Sequence, residues 1–230
     1  MDTRFISTLK ALMEIGFSEL YVIGSSTTEE VSQEITLEKP TLDKRKMLEE
    51  LYRRLEEERK CVLYEGASGY VFGEGNPYSP VVFVGEAPGE EEDQQKRPFV
   101  GRAGRYLNQK LEEVGLKREE VYITNVVKSR PPGNRKPSAK EMQSCLPYLR
   151  KEIDIIKPKL IVCLGSTALE GILGKNLPVT KYRGQLFDYP YDRSIKVFLT
   201  YHPAYVLRNP YSDKEFTEDM RRIVNLLSSL

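Results

Sequence analysis

Four short apolar runs, each closing on a glycine or a polar residue, constrain this chain more than any other feature. Val81-Val82-Phe83-Val84 leads into Gly85 and turn chemistry. Val121 to Val127 is the second run, Leu160 to Leu164 before Gly165 the third, and Ile195 to Thr200 the fourth. Runs this short and this apolar describe strands buried on both faces, as in a parallel sheet, rather than half-exposed alternating strands. Gly104 to Val114, Ala139 to Ile155 and Glu215 to Leu227 carry helical spacing between and after them, and Ser166 can cap a helix behind the third strand. This alternation predicts an α/β fold, a three-layer αβα sandwich around a central, mostly parallel four-stranded sheet.

The first sixty residues read differently. Thr3 to Ile15 has helical spacing, Leu20 to Ile23 suits a short strand, and Ser25 to Glu38 is polar and without apolar period, as in a flexible linker. Asp43 to Lys60 is an amphipathic helix with Met47, Leu48, Leu51 and Leu55 on one face. The expected organisation is an N-terminal extension over residues 1–60 and a main domain over 61–230. No apolar run reaches the length of a membrane span and no signal-peptide pattern opens the chain, so a cytoplasmic protein without membrane contact is expected.

A net charge of +1 excludes a global basic field. Any grip on a polyanion must be local, and one patch stands out: Lys128 to Lys140 carries five basic residues and no acid, with prolines and a glycine that keep it a loop. Taken alone it also suits an ordinary solvated loop.

In parallel sheets, ligands bind beyond the carboxyl ends of the strands. Glu86, Asn125 and His202 each stand at or just past such an end. His202 is the single histidine of the chain, so no multi-histidine metal site exists and any imidazole chemistry happens there. A lone histidine is more often a loop-capping residue; company at one sheet edge is what alters that reading. The loop Gly85 to Asp93 has too many acids to cradle a phosphate and is not a P-loop. Arg97 to Gly104 presents Phe99 and two arginines before a helix.

Several separated segments, in order, resemble the uracil-DNA glycosylase superfamily, and within it family 4, the thermostable iron–sulfur type. They are Gly73 to Pro77, Gly85 to Asp93, Arg97 to Gly104, Thr124 to Lys128, Arg130 to Pro137 and His202 to Pro210. The resemblance implies a uracil-DNA glycosylase of base excision repair that flips deoxyuridine out of single- or double-stranded DNA and hydrolyses its N-glycosidic bond, leaving an abasic site. It also implies roles. Phe99 stacks on the base and Ala87 lines its pocket. Asn125 reads the Watson–Crick edge, accepting from N3–H and donating to O4. His202 stabilises charge developing on O2. Glu86 or Glu92 orients the water, an alternative the residues leave open. Val206 or Leu207 wedges into the duplex, while Lys128, Arg130, Arg135, Lys136, Ser166, Arg183 and Arg208 contact the DNA backbone.

The chain departs from the family at its cofactor. Family 4 members hold a cluster on four cysteines. In register with that motif, Cys61 and Cys145 match the second and fourth ligands, but Glu58 and Ser129 occupy the first and third positions. The expectation is therefore no cluster, no other cofactor, and a Cys61–Cys145 pair close enough for a disulfide. Cys163 sits mid-strand as a buried thiol. A branch of the family that traps uracil on a second histidine is ruled out. The expected form is a monomer. The rival readings are a non-catalytic DNA-binding relative that lost the cluster, and a small-molecule nucleotide hydrolase.

Overall fold

The computed structural model describes residues 43–230. The helix, strand and linker expected before residue 39 lie outside the described residues. Helix α1 (Lys44–Glu58) begins where the Asp43 carboxylate accepts from the Arg45 main-chain N–H. Strands β1 (Glu74–Gly75) and β2 (Val81–Gly85) follow, then helices α2 (Glu90–Gln95) and α3 (Arg102–Glu113). Strand β3 (Tyr122–Asn125) leads through the basic loop into α4 (Ala139–Ile156), and β4 (Leu160–Leu164) into α5 (Ser166–Leu173) and the short α6 (Val179–Tyr182). Strands β5 (Leu186–Tyr189) and β6 (Asp192–Thr200), α7 (Pro203–Arg208) and α8 (Asp213–Ser229) complete it.

The four apolar runs form the expected parallel core. β3 pairs with β2, β2 with β4 and β4 with β6, all parallel. The sheet is larger than expected, with six strands in the order β1-β3-β2-β4-β6-β5, because an antiparallel strand closes each edge. Neither edge strand has an apolar run to announce it: β1 is two residues long and Leu186 of β5 is exposed. Ser166 opens α5 as expected, but Gly165 is its cap, at a φ of 96° that suits glycine.

Alternation along the strands divides the core into two layers. Val82, Val84, Ile161, Cys163, Val197 and Leu199 face α1, α4 and α5. Val81, Phe83, Val162, Leu164 and Phe198 face α3, α7 and α8. Leu48, Leu51 and Leu55 of α1 lie in the first layer, so the helix that the sequence groups with the extension shares the core of the sheet. Cys163 is buried, and burial raises its thiol far above the ordinary range, which leaves it inert. No helix among the described residues is long and apolar enough to cross a membrane.

Candidate active site

The carboxyl ends of β2, β3, β4 and β6 open into one cavity of about 600 Å³, lined among others by Glu86, Ala87, Phe99, Asn125, Ser166 and His202. Gly85 explains why two of these can meet. A Cβ at Gly85 would lie 2.4 Å from Asn125 Oδ1 and 2.5 Å from Phe99 Cζ, so only glycine lets the amide and the ring pack over the strand end.

Asn125 is buried, yet neither Oδ1 nor Nδ2 has a hydrogen-bond partner among the described residues. An unpaired buried amide costs on the order of 1–3 kcal/mol, and a ligand that supplies one donor and one acceptor cancels that cost. Phe99 is held in the left-handed region at φ 51°, a conformation that a bulky residue adopts only under constraint. The constraint is visible. Arg118 donates to Phe99 O at 3.0 Å and to Pro98 O at 2.5 Å, and a Cβ at Gly104 would strike Phe99 O at 1.9 Å. The ring faces His202 with centroids 5.7 Å apart and planes 33° apart.

His202 is the N-cap of α7, its Nδ1 accepting from the Ala204 main-chain N–H at 3.1 Å. Acceptance at Nδ1 puts the proton of a neutral imidazole on Nε2, which has no protein partner among the described residues and remains a donor for the cavity. Burial, with the Arg208 charge nearby, pushes the His202 pKa down to about 4. The imidazole is therefore neutral at physiological pH.

The two glutamates separate clearly. Glu92 accepts from the main-chain N–H groups of Gly89 at 3.1 Å, Val100 at 3.0 Å and Gly101 at 2.7 Å, so its carboxylate braces the loop that carries Phe99. The Glu86 carboxylate lines the same cavity and has no hydrogen bond or ion pair among the described residues.

The basic residues also sort themselves. Arg208, Arg135 and Ser166 line the cavity, Arg135 also paired with Glu141 at 2.6 Å, and Lys136 is exposed on the adjoining loop with Glu170 at 3.2 Å. Arg130 stands in the same loop, tied to Asn134 Oδ1 at 2.7 Å. Three expectations need correction. Lys128 is fully buried and bonds Glu152 Oε2 at 2.6 Å, so it is not a phosphate contact. Burial pulls its ammonium below the ordinary lysine value, against the opposing pull of Glu152. Arg183 is tied to Asp219 at 2.8 Å and to the Glu215 carbonyl at 3.0 Å, bracing α8 instead of facing the cavity. Val206 is packed into the α8 side of the core, which leaves the partly exposed Leu207 as the apolar tip. Sequence reasoning passed over Tyr205, Thr180 and Pro88 in the cavity wall. Tyr205 lay inside the His202 segment and was within reach; Thr180, on the short α6, gave no signal.

A family model of the uracil DNA glycosylase superfamily matches residues 72–227. The chain belongs to that superfamily. It is 48% identical to the type-4 uracil-DNA glycosylase of Sulfurisphaera tokodaii over 174 residues, covering 73% of this chain and 79% of the relative. Against the type-4 enzyme of Thermotoga maritima the identity is 45%, over 77% of this chain and 89% of the relative. For that of Archaeoglobus fulgidus it is 40%, over 78% and 92%. The resemblance read from the separated motifs is thereby confirmed at the level of family and type.

The cluster positions of that family do not fit a cluster here. The sulfurs of Cys61 and Cys145 are bonded to each other, with Cα atoms 5.0 Å apart. Glu58 Oε2 accepts from the Tyr148 hydroxyl at 2.7 Å, and Ser129 supplies a buried hydroxyl where a thiolate would be needed. Iron–sulfur clusters are held by thiolates, and this donor set offers none free.

Proposed function

We propose that the chain is a monofunctional uracil-DNA glycosylase of the type-4 kind, hydrolysing the N-glycosidic bond of deoxyuridine in DNA without an iron–sulfur cluster or other cofactor. The observation that carries the site assignment is the buried Asn125 amide at the cavity wall, without a partner among the described residues. Uracil presents N3–H as donor and O4 as acceptor, the complement of one amide. Cytosine reverses that pattern, so the site rejects it when the amide is held with Oδ1 toward N3 and Nδ2 toward O4.

The remaining side chains take roles that follow from their positions. A base flipped out of the stack enters beneath the Phe99 ring with Ala87 at the wall. As the C1′–N1 bond breaks, its electron pair passes into the ring and negative charge gathers on O2. The neutral His202 Nε2–H donates to that oxygen, a fixed dipole where charge develops. Glu86 orients a water toward C1′ and takes up its proton as the hydroxyl adds. Arg130, Arg135, Lys136, Ser166 and Arg208 hold the strand around the cavity, and Leu207 fills the place of the departed base.

The test is release of free uracil, with an alkali-labile abasic site, from a uracil-containing oligonucleotide. Activity at the wild-type rate in both Asn125→Ala and His202→Ala would remove the site assignment. The degenerate cluster positions favour one rival, a DNA-binding relative without activity. That reading predicts binding with no abasic-site formation, so the same assay separates the two.

A further inference from the structure

Lys128 is the most completely enclosed charge next to the site, and every proton it offers is taken. Its Nζ donates to Thr124 Oγ1 at 2.6 Å, to the Asn125 carbonyl at 2.9 Å and to Glu152 Oε2 at 2.6 Å. Glu152 accepts in addition from Thr124 Oγ1 at 3.1 Å and from the Tyr52 hydroxyl of α1 at 2.6 Å. Tyr52 and Tyr122 touch through their hydroxyls. The network runs from α1, through α4, to the end of β3.

Its position answers a local need. On the inner side, Asn125 is level with Gly85 of β2, and the next N–H, that of Val126, bonds the Gly85 carbonyl. On the outer side the register with β1 stops at Ile123. The Asn125 carbonyl is therefore left without a strand neighbour, and the ammonium takes it. A buried ion pair is weak evidence for stability, since packed apolar side chains serve as well. Holding one peptide plane in place is something an apolar pair cannot do.

We propose that Lys128 is a positioning residue for base recognition: with Glu152 it fixes the Asn125 peptide so that the side-chain amide faces the cavity. This rests on the reading of Asn125 as the uracil-contacting group. Misplacing a recognition group by an ångström from outside the reacting atoms costs up to about 10²-fold.

The experiment compares Lys128→Met with Lys128→Met/Glu152→Gln, which leaves no unpaired charge and keeps the question open if the single variant fails to fold. Both are combined with Asn125→Ala. Three quantities are read: kcat/KM for uracil release, inhibition by free uracil, and affinity for an oligonucleotide carrying an abasic site. The expected result is a loss of about 10²-fold in kcat/KM with weaker uracil inhibition. Abasic-site affinity should stay within about twofold, and in the Asn125→Ala background the lysine substitution should add less than about twofold. Losses that multiply with that of Asn125→Ala, or a parallel fall in abasic-site affinity, would show a general structural role and overturn the proposal. Wild-type kinetics in the double variant would overturn it too. Undiminished excision by Asn125→Ala alone would instead remove the underlying reading, and the proposal with it.

Discussion

The cavity at the strand ends and the Cys61–Cys145 region lie in one fold but differ in which polar groups they leave unpartnered among the described residues: the Asn125 amide at the first, the Ser129 and Tyr70 hydroxyls at the second. At the cavity, the Asn125 and Glu86 side chains and His202 Nε2 have no partner among the described residues, while a second tier (Glu92, Arg118, Lys128) is bonded so as to hold them in place. At the other region the two cysteines are joined and Glu58 is bonded to Tyr148. Ser129 Oγ, also in that region, is buried and has no partner among the described residues. Beside the cavity the unpartnered groups are an amide and a carboxylate; at the second region the carboxylate and both sulfurs are already bonded to protein groups.

That contrast breaks most readily at the cavity. His202→Ala removes the only donor proposed for O2 and should lower uracil release by about 10²–10³-fold, the usual cost of one oxyanion donor. Asn125→Ala should fall in the same range, and for both the thermal midpoint should stay near that of the wild type. A large drop in that midpoint would mean that these residues support the fold, as the cysteines do.

The converse holds for the other region. Cys61→Ser opens a bridge spanning 84 residues of sequence and should cost about 2–5 kcal/mol of stability. Uracil release, measured below the new midpoint, should be unchanged. The purified protein should contain no iron and show no visible iron–sulfur absorbance. A stoichiometric iron content would erase the contrast altogether.

A third measurement uses the solitude of the histidine. With one imidazole in the chain, its NMR resonances need no assignment by mutation, and they should titrate near pH 4. The folded value lies below the ordinary 6.5, so between those values the unfolded chain binds more protons than the folded one. The contribution of neutral His202 is thus complete above about pH 6.5 and is lost as pH falls toward 4. Wild-type stability should fall across that window relative to His202→Gln. Parallel curves would show the imidazole to be solvated and not held neutral by the site.

What could be read in advance follows the range of the interactions. The parallel core was legible because Val81–Val84 and Leu160–Leu164 declare burial locally, and the strand-end rule then placed Glu86, Asn125 and His202 together. The edge strands were not, because Glu74–Gly75 and Leu186–Tyr189 gain their strand character only from a neighbour. Lys128 reads with the basic loop it adjoins, since its partner Glu152 lies 24 residues on, in another element, and nothing local announces the pair. The choice between Glu86 and Glu92 was closed to sequence for a similar reason. What ties Glu92 down is the main chain of Val100 and Gly101, and main-chain donors leave no mark on residue identity.

The smallest expected effect comes from neighbours that differ by a single helical step. In α7, Val206 turns into the core against α8 while Leu207 stays partly exposed beside Arg208. Val206→Ala should cost about 1–3 kcal/mol of stability by leaving a cavity, with excision by the folded fraction intact. Leu207→Ala should leave stability within about 0.5 kcal/mol, as exposed substitutions do. It should slow uracil release from duplex more than from single-stranded DNA, because only the duplex has a stacked gap for the side chain to fill. The comparison with single-stranded substrate carries the point: equal losses on both would make Leu207 a wall of the cavity, and the wedge would have to be sought in the neighbouring loop at Arg135 and Lys136.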